Sequence, residues 1–267
     1  MMPKNVVLVT GGSRGIGLAV VKILLQGTAD LPASNVVSLS RSAPAELAEL
    51  AEKPEFKESL AVVKGDVTKR EDNDRAVKTA LDRWNRLDAL VLNAGIADFN
   101  KIADLTTEQM MHSLNVNTVS LIATIGAALP ALRKNHGRVV FVSSGAALGN
   151  YASWAPYNAS KAALNSIART LANEEPDIAS FSVRPGVVDT DMQVQVRGTD
   201  RMKSDEHNKF LTMHKEGKLL PVGKPAHVLA ALAIKGTRTE PKNKDGEPYG
   251  TGIFVSWDDP SLEKFRD

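Results

Sequence analysis

Two side chains four positions apart, Tyr157 and Lys161, are the part of this sequence best suited to chemistry. In a helix, residues at i and i+4 are neighbours on one face, so the phenol and the ammonium would meet. A tyrosine ordinarily titrates near pH ~10, and a nearby cation favours its ionised form. Such a phenol can exchange a proton at neutral pH, which is what reduction of a ketone requires. Ser144 stands 13 residues upstream, and a glycine-rich stretch, Thr10-Gly11-Gly12-Ser13-Arg14-Gly15-Ile16-Gly17, lies near the N-terminus. A Tyr-x-x-x-Lys spacing alone occurs on many solvated helix surfaces. Its combination with a spaced serine and a glycine turn singles it out here.

The scaffold for these residues is legible in the hydrophobic pattern. Short runs rich in β-branched residues at 6–9, 36–39, 60–63, 89–92, 139–142, 181–183 and 253–255 read as strands. Between them, segments near 15–27, 44–53, 71–85, 106–134, 155–173 and 225–234 have helical periodicity. This alternation predicts a single-domain α/β Rossmann fold: a doubly wound parallel sheet of about seven strands with helices on both faces. No linker, repeat or low-complexity tract divides residues 1–267, which read as one domain. One segment, about 190–220, is dense in charge (Arg197, Asp200, Arg201, Lys203, Asp205, Glu206) and has no long apolar run. It reads as a helical insertion, either solvated or serving as a lid over the strand ends, where open α/β sheets bind ligands.

Composition narrows the function. At 267 residues with 43% hydrophobic and 24% charged content, the chain is an ordinary globular protein, and its formal net charge of +2 points to neither nucleic acid nor an anionic membrane. Having no cysteine, it can use neither disulfides nor thiolate chemistry. His112, His136, His207, His214 and His227 are scattered without metal-ligand spacing, so no metal site is expected. The N-terminus shows no signal-peptide pattern, and the longest apolar stretch, 119–132, contains Gly126 and Pro130 and is short for a membrane span. It reads as a buried helix, and a cytoplasmic protein is expected.

The run 6–9 leads into Gly11, Gly15 and Gly17, after which residues 18–25 look helical. Glycines at such a strand-to-helix turn let the backbone approach a pyrophosphate, and the helix N-terminus offers it free N–H groups. The spacing, Gly-x3-Gly-x-Gly, differs from the common G-x-G-x-x-G pattern. Nucleotide type is suggested by the second strand, which ends in Ser40 and Arg41 with no carboxylate to hold a ribose 2′-hydroxyl. A second guanidinium, Arg14, stands inside the glycine turn. Two arginines converging on a 2′-phosphate would favour NADP(H) over NAD(H).

Taken together, these motifs resemble the short-chain dehydrogenase/reductase family over almost the whole chain. The stretch Thr10–Gly17, with Gly11, Ser13, Arg14, Gly15, Ile16 and Gly17, looks like that family's TGxxxGIG. Asp66 and Val67 resemble its adenine-contacting pair, and Asn93, Ala94 and Gly95 its NAG motif. Pro185, Gly186, Val188 and Thr190 look like the segment at the nicotinamide end. Ser144, Tyr157 and Lys161 match the catalytic trio. For the family's catalytic asparagine, Asn117 is preferred to Asn115: it has Ser120 three residues after it, although Met110, seven before, replaces the usual tryptophan. A narrower similarity, carried by 153–157, 161–165, 189–194 and 255–260, is to fungal benzil reductases, relatives of sepiapterin reductase that use NADPH on α-diketones.

The resemblance implies an NADPH-dependent reductase of a small-molecule carbonyl substrate. Tyr157 would be the general acid, with its pKa lowered by Lys161, which would also hydrogen-bond the nicotinamide ribose, so that both residues border the cofactor. Ser144 would hydrogen-bond the developing alkoxide, and Asn117 would anchor a water linking Lys161 to solvent. Trp154, three residues before Tyr157, faces either the substrate pocket or the core. A homo-oligomer is expected, because helices at 117–132 and 155–172 have few charges on any face. Two rivals remain: an NADP(H)-binding regulator without turnover, and a sugar-nucleotide epimerase or dehydratase. The second would need a longer C-terminal substrate domain than the residues after Gly223 provide.

Overall fold

The computed structural model describes residues 3–266. Its centre is a seven-stranded sheet in which β1 (Val6–Thr10), β2 (Asn35–Ser40), β3 (Leu60–Lys64), β4 (Ala89–Leu92), β5 (Arg138–Val142), β6 (Ala179–Arg184) and β7 (Thr251–Ser256) lie in the order β3-β2-β1-β4-β5-β6-β7. All neighbouring pairs are parallel. The helices are α1 (Gly15–Gln26), α2 (Ala45–Glu52), α3 (Arg70–Trp84), α4 (Thr107–Leu114), α5 (Ser120–Lys134), α6 (Ala155–Glu174), α7 (Asp191–Gly198), α8 (Ser204–Lys215) and α9 (Gly223–Lys235).

Strand side chains alternate between two cores, as the period of two requires. Val7, Val9, Val36, Val91 and Val140 face a layer built from α1, α2 and α9. Val6, Leu8, Val37, Leu90, Val139 and Phe141 face α3, α5 and α6. Burial on both faces explains why the central strands read as continuous apolar runs. Helix α9 is buried along every face from Pro225 to Ile234, a stretch apolar except for His227.

Residues 107–134 are helical throughout, as expected, but not one regular helix. A π-turn, Asn115–Val119, separates α4 from α5. The helix starts with a capping box in which Thr106 and Gln109 bond reciprocally. By length and composition alone the Thr107–Lys134 segment could cross a bilayer, with a window of mean hydropathy 1.4. In this fold Leu121, Ile125, Ala128 and Leu132 pack it into the sheet's second core.

The 190–220 segment forms two helices, α7 and α8. Its ends are tied together, since Leu220 N donates to Val187 O and Asp189 N to Leu220 O, both at 2.9 Å. Helix α8 is then held over the strand ends by Glu206, whose carboxylate accepts from Ala152 N at 2.9 Å, and by Lys209, which donates to the Tyr151 hydroxyl at 3.2 Å.

Candidate active site

Strand order reverses direction between β1 and β4, and the crevice beyond their C-terminal ends is where such sheets bind ligands. Thr10 ends β1 and is stapled to the turn after β4. Its hydroxyl accepts from Asn93 N and Ala94 N, and Asn93 Nδ2 donates to Thr10 O and Gly11 O, all at 3.1 Å. A Cβ on Gly17 would lie 2.2 Å from Gly11 O, so only glycine lets α1 start this close to the strand. No side chain caps the N-terminus of α1 among the described residues, and its first turn has no acid. Its free N–H groups and dipole therefore remain available to an anion.

The other nucleotide-turn residues lie around this point. Ser40 is buried at the end of β2, its hydroxyl donating to Ser42 O at 2.9 Å, while Arg41 is exposed. Asp66 caps its own turn, accepting from Thr68 N at 2.9 Å and Thr68 Oγ1 at 2.8 Å. Those bonds, with a smaller contribution from the Arg41 charge, hold its carboxyl below the usual range. Val67 is buried beside it. Arg14 points elsewhere, forming an exposed ion pair with Asp191 at 3.0 Å. Of the two guanidiniums expected to converge, Arg14 is thus paired with Asp191 here, while Arg41 lies exposed at the end of β2. Thr190 sits against the glycine turn, with its methyl 3.4 Å from where a Cβ on Gly15 would be. Gly186 adopts φ +84°, a left-handed conformation that favours glycine, and turns the chain from β6 toward Val188.

Tyr157, Lys161 and Ser144 are brought together by α6 and the end of β5. Tyr157 and Lys161 lie one turn apart on the buried face of α6, and Lys161 Nζ is 5.7 Å from the centre of the Tyr157 ring. Lys161 is 4% exposed and donates to Val142 O at 2.8 Å. Burial in an apolar layer pushes its pKa down to about 8. Burial also raises the Tyr157 pKa, partly offset by a hydrogen bond with Ser144. Lys161 was expected to draw the phenol down. Here desolvation dominates and the one lowering contribution comes from Ser144, so the phenol stays protonated at neutral pH, the form a proton donor needs.

Of the two asparagines, Asn115 is exposed and Asn117 fully buried. Asn117 Oδ1 accepts from Ile96 N at 2.8 Å, and its Nδ2 donates to Ile96 O at 2.9 Å and Ser160 Oγ at 3.0 Å. The π-turn directs this side chain inward, a common use of such bulges at functional sites. A Cβ on Gly95 would fall 3.2 Å from Asn117 Oδ1 and 3.7 Å from Lys161 Nζ, so the turn after β4 passes beside both groups.

Three features had no clear sequence signal. Asn165 Oδ1 accepts from Ser143 Oγ at 2.6 Å and Ser182 Oγ at 2.5 Å, locking α6 to β5 and β6 behind Lys161. Asn165 follows Lys161 by one helical turn, the only hint available from sequence. Ser160 links Asn117 to the Tyr157 carbonyl, accepting at 3.0 Å and donating at 2.8 Å. Third, Phe99, Tyr151, Trp154 and Phe210 form an aromatic cluster that meets Tyr157 through Trp154, with ring centres 5.7 Å apart. Phe210 belongs to α8, so the charge-dense insertion supplies an apolar wall to the site.

A family model for short chain dehydrogenases matches residues 5–201. The chain belongs to that family. It is 38% identical over 259 residues to an uncharacterised oxidoreductase of Schizosaccharomyces pombe, covering 95% of this chain and 96% of the other. It is 34% identical over 252 residues to a benzil reductase of Saccharomyces cerevisiae that forms (S)-benzoin, with 87% and 91% covered. Among solved structures, a short-chain dehydrogenase/reductase of Saccharomyces cerevisiae superposes with a TM-score of 0.89 at 35% identity, covering 98% of this chain and 100% of the other. Another, described as a cytoplasmic protein of unknown function from the same yeast, gives 0.78 at 34% identity, with 98% and 100% covered.

Family membership makes this chain an oxidoreductase that works with a nicotinamide dinucleotide. The residues fit that group: a glycine turn against the open N-terminus of α1, a β2 end without a carboxylate, and Thr190 facing the turn. Among the described residues no cluster of His, Asp and Glu could hold a metal ion.

Proposed function

We propose that the protein is an NADPH-dependent carbonyl reductase that converts a ketone or α-diketone to a secondary alcohol. The observation carrying this reading is a buried Tyr157 phenol, kept protonated, with Ser144 beside it and Lys161 one helical turn away. Relatives named as benzil reductases support the substrate class. When bound, the nicotinamide supplies hydride to the carbonyl carbon. Tyr157 gives its proton to the carbonyl oxygen, so hydride and proton together account for the alcohol. The Ser144 hydroxyl donates to that oxygen as charge develops. Lys161, an ammonium at neutral pH, stabilises the phenolate left after transfer, and Asn117 with Ser160 positions the helix turn beside it.

Gly11, Ser13, Gly15, Ile16 and Gly17 would hold the pyrophosphate, and Ser40 with Arg41 the 2′-phosphate. Asp66 and Val67 would meet the adenine, Asn93, Ala94 and Gly95 the adjoining ribose, and Pro185, Gly186, Val188 and Thr190 the nicotinamide end. The α7–α8 segment acts as a lid, since its Val196, Met202 and Phe210 pack against Trp154 and Tyr157. A cytoplasmic homo-oligomer suits the outward face of α4 and α5, where Met111 (59%), Val119 (56%) and Ile122 (56%) lie exposed. The test is NADPH oxidation with benzil and a panel of diketones, quinones and aldehydes, beside NADH and Tyr157→Phe. Turnover with NADPH that Tyr157→Phe abolishes, while cofactor binding persists, is the expected result. Unchanged turnover in the variant would overturn the assignment.

A further inference from the structure

Trp154 is 6% exposed, yet its indole Nε1–H finds no hydrogen-bond partner among the described residues. A buried donor left unpaired is costly, and phenylalanine would fill an aromatic cluster without that cost. The orphan does not stand alone. Ser153 Oγ and Asn158 Oδ1, flanking it at the start of α6, are also buried and unpartnered among the described residues. Ser153 holds φ +67°, a conformation rare for a residue with a side chain. Unpaired groups and a strained backbone thus coincide within the turn that carries Tyr157, and such strain gathers at ligand-binding positions.

The rings around Trp154 show where its free edge matters. Trp154 meets Tyr157 nearly edge-on, at 76° with centres 5.7 Å apart, so the indole borders the phenol that handles the reacting oxygen. Its face is stacked on Phe210 at 13°. With one face against α8 and Phe99 and Tyr151 at 5.2 and 5.1 Å, the indole cannot turn freely to find a partner elsewhere.

We infer that Trp154 is a specificity-determining residue whose indole N–H hydrogen-bonds the second oxygen of a 1,2-dicarbonyl substrate while Tyr157 and Ser144 engage the first. Oxygens on adjacent carbons are close enough for neighbouring side chains to hold both. A monoketone leaves the N–H unpaired, and sites with unpaired polar groups discriminate against such analogues. This inference rests on the carbonyl-reductase reading above and adds to it a reason for preferring two adjacent carbonyls.

The experiment compares benzil with deoxybenzoin, which keeps both aryl rings and replaces one carbonyl by a methylene. Trp154→Phe removes the N–H and keeps an aromatic ring in the cluster. The expected result is a rise in KM for benzil of roughly three- to tenfold, the size of one neutral hydrogen bond. The inhibition constant of deoxybenzoin should stay within about twofold, which also reports an intact pocket. Equal weakening of both ligands, or of neither, would overturn the inference while leaving the reductase reading in place. A wild-type enzyme that oxidises NADPH with no carbonyl in the panel would overturn both.

Discussion

Replacing Lys161 by methionine should make the protein more stable and inactive. The side chain is 4% exposed, and burial lowers its pKa from 10.5 to about 8. At ~1.4 kcal/mol per pH unit, keeping this ammonium charged near pH 7 costs the folded state about 3 kcal/mol. Methionine has a similar length, no charge and enough flexibility to fill the space. The substitution forfeits the 2.8 Å bond to Val142 O, a loss of about 1–2 kcal/mol. The net expectation is a gain of about 1–2 kcal/mol near neutral pH, or a few degrees in Tm for a domain of this size.

The pH dependence separates this account from generic repacking. Between pH 8 and 10.5 the unfolded chain keeps the lysine proton and the folded protein has lost it. Wild-type stability therefore rises with pH in that window relative to the variant. Below pH 8 the full penalty is present, and above 10.5 it has gone. Urea unfolding of both proteins at pH 7 and pH 10 measures it, because groups common to both cancel in the difference. The variant's advantage should shrink by most of the ~3 kcal/mol between those limits. A variant less stable at pH 7, or a difference constant with pH, would refute the reasoning.

The same lysine should shape the rate profile. If reduction needs the Lys161 ammonium, kcat/KM for NADPH, which reports groups of the free enzyme, should be level up to pH 7. It should then fall about tenfold per pH unit above about 8. A profile still level at pH 9.5 would remove Lys161 from that role. At the cofactor's other end, Arg41→Ala should weaken NADPH binding roughly 10- to 100-fold, as expected for a charge-assisted bond to phosphate. NADH binding should change less than about twofold, and equal losses measured by titration would exclude a 2′-phosphate site at Arg41.

The fold was legible because each layer writes its own pattern. Val6 to Val9 are apolar without a break since this strand is covered on both faces, and Val228 to Ile234 of helix α9 are apolar on every side since they lie within the first core. The site was legible where chemistry demands a residue type at a short spacing, as with Tyr157 and Lys161 or the close approach at Gly17. It was not legible where a group is recruited across the fold. Phe210 lies 53 positions beyond Tyr157 on a helix that reads as solvated, and its pairing with Trp154 exists only after the insertion folds back. The π-turn at Asn115–Val119 was hidden because one extra residue in a helical turn leaves the surrounding periodicity nearly intact. The ion pair of Arg14 with Asp191, 177 residues away, was likewise invisible in the sequence, where Arg14 and Arg41 suggest one phosphate grip.

The energetics of Lys161 also bear on whether the protein is a catalyst or a cofactor-binding regulator. Binding a dinucleotide calls on the glycine turn, the Asp66 turn and the Asn93 turn, and a contact from residue 161 to the nicotinamide ribose needs a polar group there rather than a buried charge. A regulator could place a neutral polar residue at 161, keep the ribose contact and avoid the cost of the buried charge. The same holds at Trp154, where phenylalanine would keep the aromatic stack and remove an unpaired donor. Features that cost stability persist where a reaction uses them. Both of these adjoin Tyr157, and the proton transfer proposed for that phenol accounts for the first as a specific carbonyl substrate accounts for the second.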